Sequence, residues 1–191
     1  MTTIRKITLT VLIAGLVAGV AAFGAFSAFS ATTSNTGNSF ASGTVAIADN
    51  DGGSAALYTT VGAAPGVPTV SCIGVTYTGS LASQVKLYAS AGITGGAGIT
   101  LTVERGTMTT GTFPGCGDFA PTSTAYTGSL GAFPTDYTGG VDGKAAAAAW
   151  ATNDVVAYRF TVTAADDGTA NAHTTATSSG THTFTWEARN T

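Results

Sequence analysis

A chain of 191 residues with seven basic and ten acidic side chains, net charge −3 at neutral pH, can bury a sizeable single core. Nucleic acid is not expected as a partner, because phosphate binding needs clustered Lys and Arg, and beyond Arg5-Lys6 the basic residues Lys86, Arg105, Lys144, Arg159 and Arg189 are dispersed. The 26 glycines and five prolines follow no collagen-like period.

At the N-terminus Arg5 and Lys6 precede Ile7 to Phe26, a stretch without any charged residue. A positive start before an apolar run reads as a signal peptide, although about twenty such residues would also reach across a ~30 Å hydrocarbon core if left uncut. Small residues continue to Ala28, and residues 1–28 are expected to be cleaved off, which leaves no stable membrane span. The expected compartment is extracellular, in secreted form or in a cell-surface matrix. The remaining 163 residues hold five basic and ten acidic side chains, a net −5, and 32 threonines. β-branched residues suit pleated surfaces and Gly and Pro suit turns, so the composition predicts an all-β domain.

Residues 29–39 are nearly uncharged Ser, Thr, Asn and Gly, an extended N-terminal segment ahead of a single domain spanning 40–191. Phe40 to Ile47 reads as a strand leading into the turn Asp49-Asn50-Asp51-Gly52-Gly53. Val67 to Tyr77 alternates, with Ile73 and Val75 on one face and Val70 and Cys72 on the other, as a strand covered on both sides. Val85, Leu87 and Ala89 mark the next strand, and Ile99, Leu101 and Val103 another beyond a glycine-rich link. Tyr77-Thr78-Gly79-Ser80-Leu81 recurs as Tyr126 to Leu130 with unmatched flanks, which reads as recurring turn chemistry. Lys144 to Ala151 has helical propensity but is too short to hold a helix unaided, so at most one short helical turn is expected there. Val156, Tyr158, Phe160 and Val162 alternate, as do His182, Phe184 and Trp186 after the turn Asp166-Asp167-Gly168. The whole reads as an antiparallel β-sandwich.

Cys72 and Cys116, an even count in an exported chain, are expected to pair, the alternative being two buried thiols. Closing that loop would stabilise by about 4 kcal/mol in the chain-entropy model. Chemistry-bearing patterns are sparse. A zinc peptidase needs two His at i and i+4 around a Glu on one helix face, whereas His173 and His182 lie in strand-and-turn contexts and read as surface residues. No Gly-x-Ser-x-Gly is present and both cysteines are committed, so no nucleophile stands out. Asp49 and Asp51 sit at alternate positions before Gly52 as calcium ligands do, but no glutamate closes the loop, and a turn is the better reading. No catalytic residue, cofactor or firm metal site is assigned.

Ala28-Phe29-Ser30, followed by Phe40-Ala41-Ser42-Gly43-Thr44, resembles the mature start of the TasA and camelysin family, biofilm-matrix fibre proteins with signals cut by a SipW-type peptidase. Looser likenesses follow at Gly79-Ser80-Leu81 with Val85 to Tyr88, at Trp150 before Tyr158-Arg159-Phe160, and at Phe184 to Ala188. The resemblance implies a jelly-roll-like sandwich and a head-to-tail homopolymer in which Phe29 to Phe40 adds a strand to the next subunit, with Phe29 and Phe40 as assembly residues. A minor matrix or anchoring protein would accompany it. A camelysin-like metallopeptidase and a monomeric adhesion or glycan-binding module are the alternatives; no zinc ligand carries over. Cleavage between Ala28 and Phe29 is predicted: the secreted form should have the intact mass of a chain beginning at Phe29, and a chain beginning at Phe23 would place the cut after Ala22.

Overall fold

The computed structural model describes residues 3–24, 39, 41–53, 55–60, 63–91, 93–165 and 179–190. The chain forms two compact units, Met1–Ala41 and Ser42–Thr191. In the first, an apolar sequence free of Pro winds into helix α1 (Thr3–Gly24). Its two threonines keep their hydroxyls satisfied within the helix, Thr8 donating to the Ile4 carbonyl and Thr10 to that of Lys6. Among the described residues no helix is long and apolar enough to cross a membrane.

The second unit is an all-β antiparallel sandwich. Its strands are β1 (Ile47–Asp49), β2 (Pro68–Tyr77), β3 (Ser83–Ala91), β4 (Ile99–Thr107), β5 (Ala120–Ser129), β6 (Val141–Asp142), β7 (Val155–Ala164) and β8 (Thr183–Asn190). One sheet runs β1-β2-β7-β4-β5 and the other β6-β3-β8. The chain changes sheet between β2 and β3, β3 and β4, and again from β5 onward at each connection, the kind of crossing a jelly roll makes. Period-2 alternation sets which side chains enter the core. Tyr158 and Phe160 of β7 are fully buried, and their rings meet Trp186 and Phe184 of β8 at 5.4 and 4.8 Å between centroids. Residues 71–75 of β2 are buried on both faces, as the two-sided pattern predicts. Strand β1 is shorter than the Phe40–Ile47 pattern predicts: residues 41–46 are not strand, and Thr44 and Ala46 instead accept backbone hydrogen bonds from residues 78–81.

Strand β5 has no counterpart in the sequence reading, because Ala-Pro-Thr-Ser-Thr-Ala-Tyr-Thr-Gly-Ser looks like turn chemistry. Its Tyr126 explains the repeated pentapeptide. In both copies the tyrosine folds back over the glycine two residues on. Tyr77 donates its hydroxyl to the Leu81 carbonyl, and Tyr126 donates to that of Ser129 at 2.7 Å. A Cβ on Gly79 would run into that phenol and the Thr44 carbonyl, and one on Gly128 would displace the Tyr126 phenol, so glycine permits the fold-back.

The alanine run forms a 3-10 turn at Ala145–Ala147 with Ala146 and Ala147 at φ 55° and 51°. This left-handed backbone is costly for residues with a Cβ, and it delivers Trp150 into the core, where Trp150 and Ser83 exchange backbone hydrogen bonds of 2.7 and 3.1 Å. A second 3-10 turn, Leu130–Ala132, carries the buried Leu130. Buried Arg105 of β4 crosses to the other sheet, its Nε and Nη2 donating to the Asp142 carbonyl at 2.9 and 2.6 Å.

Cys72 and Cys116 are joined, with Cα atoms 5.2 Å apart and a sequence separation of 44. The bond ties β2 to the loop between β4 and β5, and the Cys72 N–H donates to the Pro114 carbonyl at 2.9 Å. Replacing both cysteines by serine is expected to lower unfolding free energy by about 2–5 kcal/mol, read from urea denaturation of the oxidised protein and the double variant.

Candidate functional site

Three strands cannot cover five. Where the smaller sheet ends at β8, the inner face of the larger one lies open in a cleft of about 830 Å³, within the range of ligand-binding cavities. Ile73 of β2, Ile99 of β4 and Val162 of β7 form its floor, and Phe184 and Trp186 of β8 form one wall. Asp49, Asp51 and Gly53, and the chain from Ala55 to Thr60, line its mouth. Among the described residues β8 pairs with β3 alone, so its other edge presents unpaired backbone beside the cleft.

Tyr58 is one of the aromatic side chains lining this space. Its hydroxyl lies 2.6 Å from His182 Nε2, and its ring packs 5.6 Å from the His182 ring and 6.3 Å from that of Phe184. His182 Nδ1 is 3.1 Å from the Gly180 carbonyl. A carbonyl can only accept, so in the neutral imidazole Nδ1 carries the hydrogen and Nε2 accepts from Tyr58. Burial pushes the Tyr58 phenol well above its ordinary pKa, and the hydroxyl remains a donor. His182 is therefore part of a half-buried aromatic group with Tyr58 and Phe184, not the plain surface residue the sequence suggests. His173 lies outside the described residues.

Asp49 and Asp51 reach the cleft mouth side by side. The Gly53 N–H donates to Oδ1 of Asp51 at 2.7 Å and of Asp49 at 3.2 Å, while Gly52 and Gly53 adopt φ of 66° and 68°. Such contacts are those of an Asx turn. Burial, followed by the neighbouring Asp51, raises the Asp49 pKa; the hydrogen bond from Asp49 lowers that of Asp51. The two carboxyls thus hold one proton in common more readily than isolated groups would. They supply two oxygen ligands, and no group of three or more His, Cys, Asp or Glu converges among the described residues.

The cleavage and assembly residues Ala28, Phe29 and Phe40 lie outside the described residues. Cys72 faces away from the cleft, on the side of β2 opposite Ile73. The sequence reading did not single out Tyr58, which stands 124 positions from His182. The one available signal was a histidine in phase with Phe184 and Trp186, hence on the inward side of a strand. No protein-family model and no curated protein matches the chain.

The Asp49 pKa is raised by folding, so its carboxyl favours the native state when protonated, and that advantage disappears as pH rises through its titration. Asp49→Asn is accordingly expected to raise the midpoint of thermal unfolding slightly at pH 7 and to leave it unchanged near pH 3, as measured by melts across that interval.

Proposed function

We propose that the chain is an exported structural subunit of extracellular, biofilm-matrix-type fibres, assembling head to tail when the mature N-terminal segment, Phe29 to Phe40, adds a strand to the next subunit. The observation that carries this reading is the pairing of an unpaired strand edge, β8, with a cleft of apolar floor and polar rim along its inner side. Strand addition draws affinity from main-chain hydrogen bonds and selectivity from pockets for alternate side chains. Both requirements meet along His182 to Trp186. The other edges suit the task less well. β1 is three residues long, and β2 beyond it is capped by Asn50 at Gly74 and by Pro114 at Cys72. β5 exposes a long edge, and none of its residues lines the cleft.

The donor side of the reading rests on sequence: residues 7–48 carry no charge, and a phenylalanine stands at each end of 29–40. Burying one such ring stabilises by roughly 1.5–3 kcal/mol, a gain repeated at each joint of an open head-to-tail chain. Export, a SipW-type peptidase that exposes Phe29, and an anchoring or minor matrix protein belong to the same proposal, and the disulfide fits an oxidising compartment.

Deleting residues 29–37 from the mature chain is expected to abolish fibres in negative-stain micrographs while leaving the far-ultraviolet spectrum of a β protein. Fibres of normal length from the truncated chain would reduce the segment to a tether.

A further inference from the structure

The cleft already contains an aromatic side chain of its own. Tyr58 lies against Phe184 and His182, in the part of the cleft that borders the open edge of β8. Its neighbourhood is attached through side chains and not through a backbone ladder. Among the described residues no backbone–backbone hydrogen bond joins residues 55–60 to either sheet, and these residues form neither strand nor helix. They are held by side chains: the Tyr58–His182 hydrogen bond, the ring contacts, the packing of Leu57 against the core, the hydrogen bond of the Ala55 N–H to the Asp51 carboxylate, and a 3.2 Å contact between the hydroxyls of Thr60 and Thr69. A ring seated without a backbone ladder can leave without breaking a sheet.

We propose that Tyr58 is a resident plug. Its ring fills the subsite that receives an aromatic side chain from the N-terminal segment of a second copy, and assembly proceeds by exchange of one ring for the other. The inference rests on the fibre reading above and adds to it the receiving subsite and a brake on polymerisation. Three observations select the occupant. The subsite is walled by Phe184 and His182 and floored by aliphatic residues, so it takes an uncharged aromatic group. The stretch between Gly24, where α1 ends, and β1 is uncharged throughout and supplies phenylalanines. An incoming strand can also hydrogen-bond to the free edge of β8, which residues 55–60 do not do.

Exchange has an arithmetic consequence. A receiving site that is open only part of the time binds with its intrinsic affinity scaled by the open fraction. Emptying the subsite therefore strengthens binding, whereas removing a ring that belongs to the binding wall weakens it. The two roles for Tyr58 differ in sign.

The test compares mature wild type, Tyr58→Ala and Tyr58→Phe in seeded elongation followed by light scattering. It is paired with binding of a synthetic peptide of residues 29–40 at protein concentrations below assembly, read from tryptophan fluorescence, since Trp186 lines the cleft. Tyr58→Ala should elongate at least threefold faster and bind the peptide correspondingly tighter. Tyr58→Phe keeps the ring and loses only the bond to His182, so it should fall between wild type and the alanine variant, and it serves if the alanine variant does not fold. Fibres that form normally in wild type with elongation unchanged or slowed in both variants would overturn the plug and leave the fibre reading standing. Absence of wild-type fibres under every seeding condition would overturn both.

Discussion

The domain depends on an aromatic seam between its sheets. Tyr158 and Phe160 project from β7, the strand held between β2 and β4, and meet Trp186 and Phe184 on β8. Each large ring removes upward of 150 Å² from water and prefers the tilted and edge-on contacts found here. The register of both sheets follows. With β7 fixed by its inward rings, a one-residue slip of β2 or β4 would turn Ile73 or Leu101 outward, so the hydrophobic pattern specifies the pairing. Tyr158 reinforces the seam by donating its hydroxyl to the Gly143 carbonyl at 2.6 Å, which secures the chain leading from β6 to Trp150.

The cleft is the complement of that seam. A sandwich with five strands on one side and three on the other has more inner face than it can cover, and the shortfall lies next to β8. Part of it is occupied by an irregular stretch of chain, anchored by Tyr58, and part stays open. Natural sheets usually blunt exposed edges with charges, bulges or covering loops. Here the treatment differs between edges. β2 is covered by Asn50 and by the disulfide-bound loop, and the β4–β5 pairing is interrupted by two register shifts. Along β8 the charged residues Glu187 and Arg189 pair with each other at 2.7 Å at its C-terminal end, while His182 to Trp186 has no such protection.

Much of this was legible in the sequence because the core strands carry apolar residues in strict alternation. β2, β3, β4, β7 and β8 each announce an inward face through residues such as Ile73, Leu87, Val103, Phe160 and Trp186, and the paired cysteines follow from their number. β5 escaped because its strand character comes from threonine among Pro, Ser and Gly, and its inward contacts depend on Tyr126 meeting Phe133 at 4.8 Å, which is invisible locally. The polyalanine stretch behaves as its shortness predicts, forming one 3-10 turn at Ala145–Ala147, with intrinsic propensity giving way to the backbone path that buries Trp150. The cleft was least legible of all. Its residues come from separate parts of the chain and are united by a shortage of strands, and strand counts between sheets leave no local pattern in the residues that line the gap.

The crosslink from Cys72 to Cys116 has a mechanical meaning as well. The two sulfurs bracket all of β3 and β4, so tension applied through the ends of the domain bypasses the chain between them. At roughly 3.4 Å per extended residue, the enclosed 44-residue separation corresponds to about 150 Å of contour length that cannot be drawn out while the bond is intact. The domain pulled from its ends can thus lengthen only through the chain before Cys72 and after Cys116. The oxidation state of one pair of sulfurs therefore sets how far the domain itself can extend under tension.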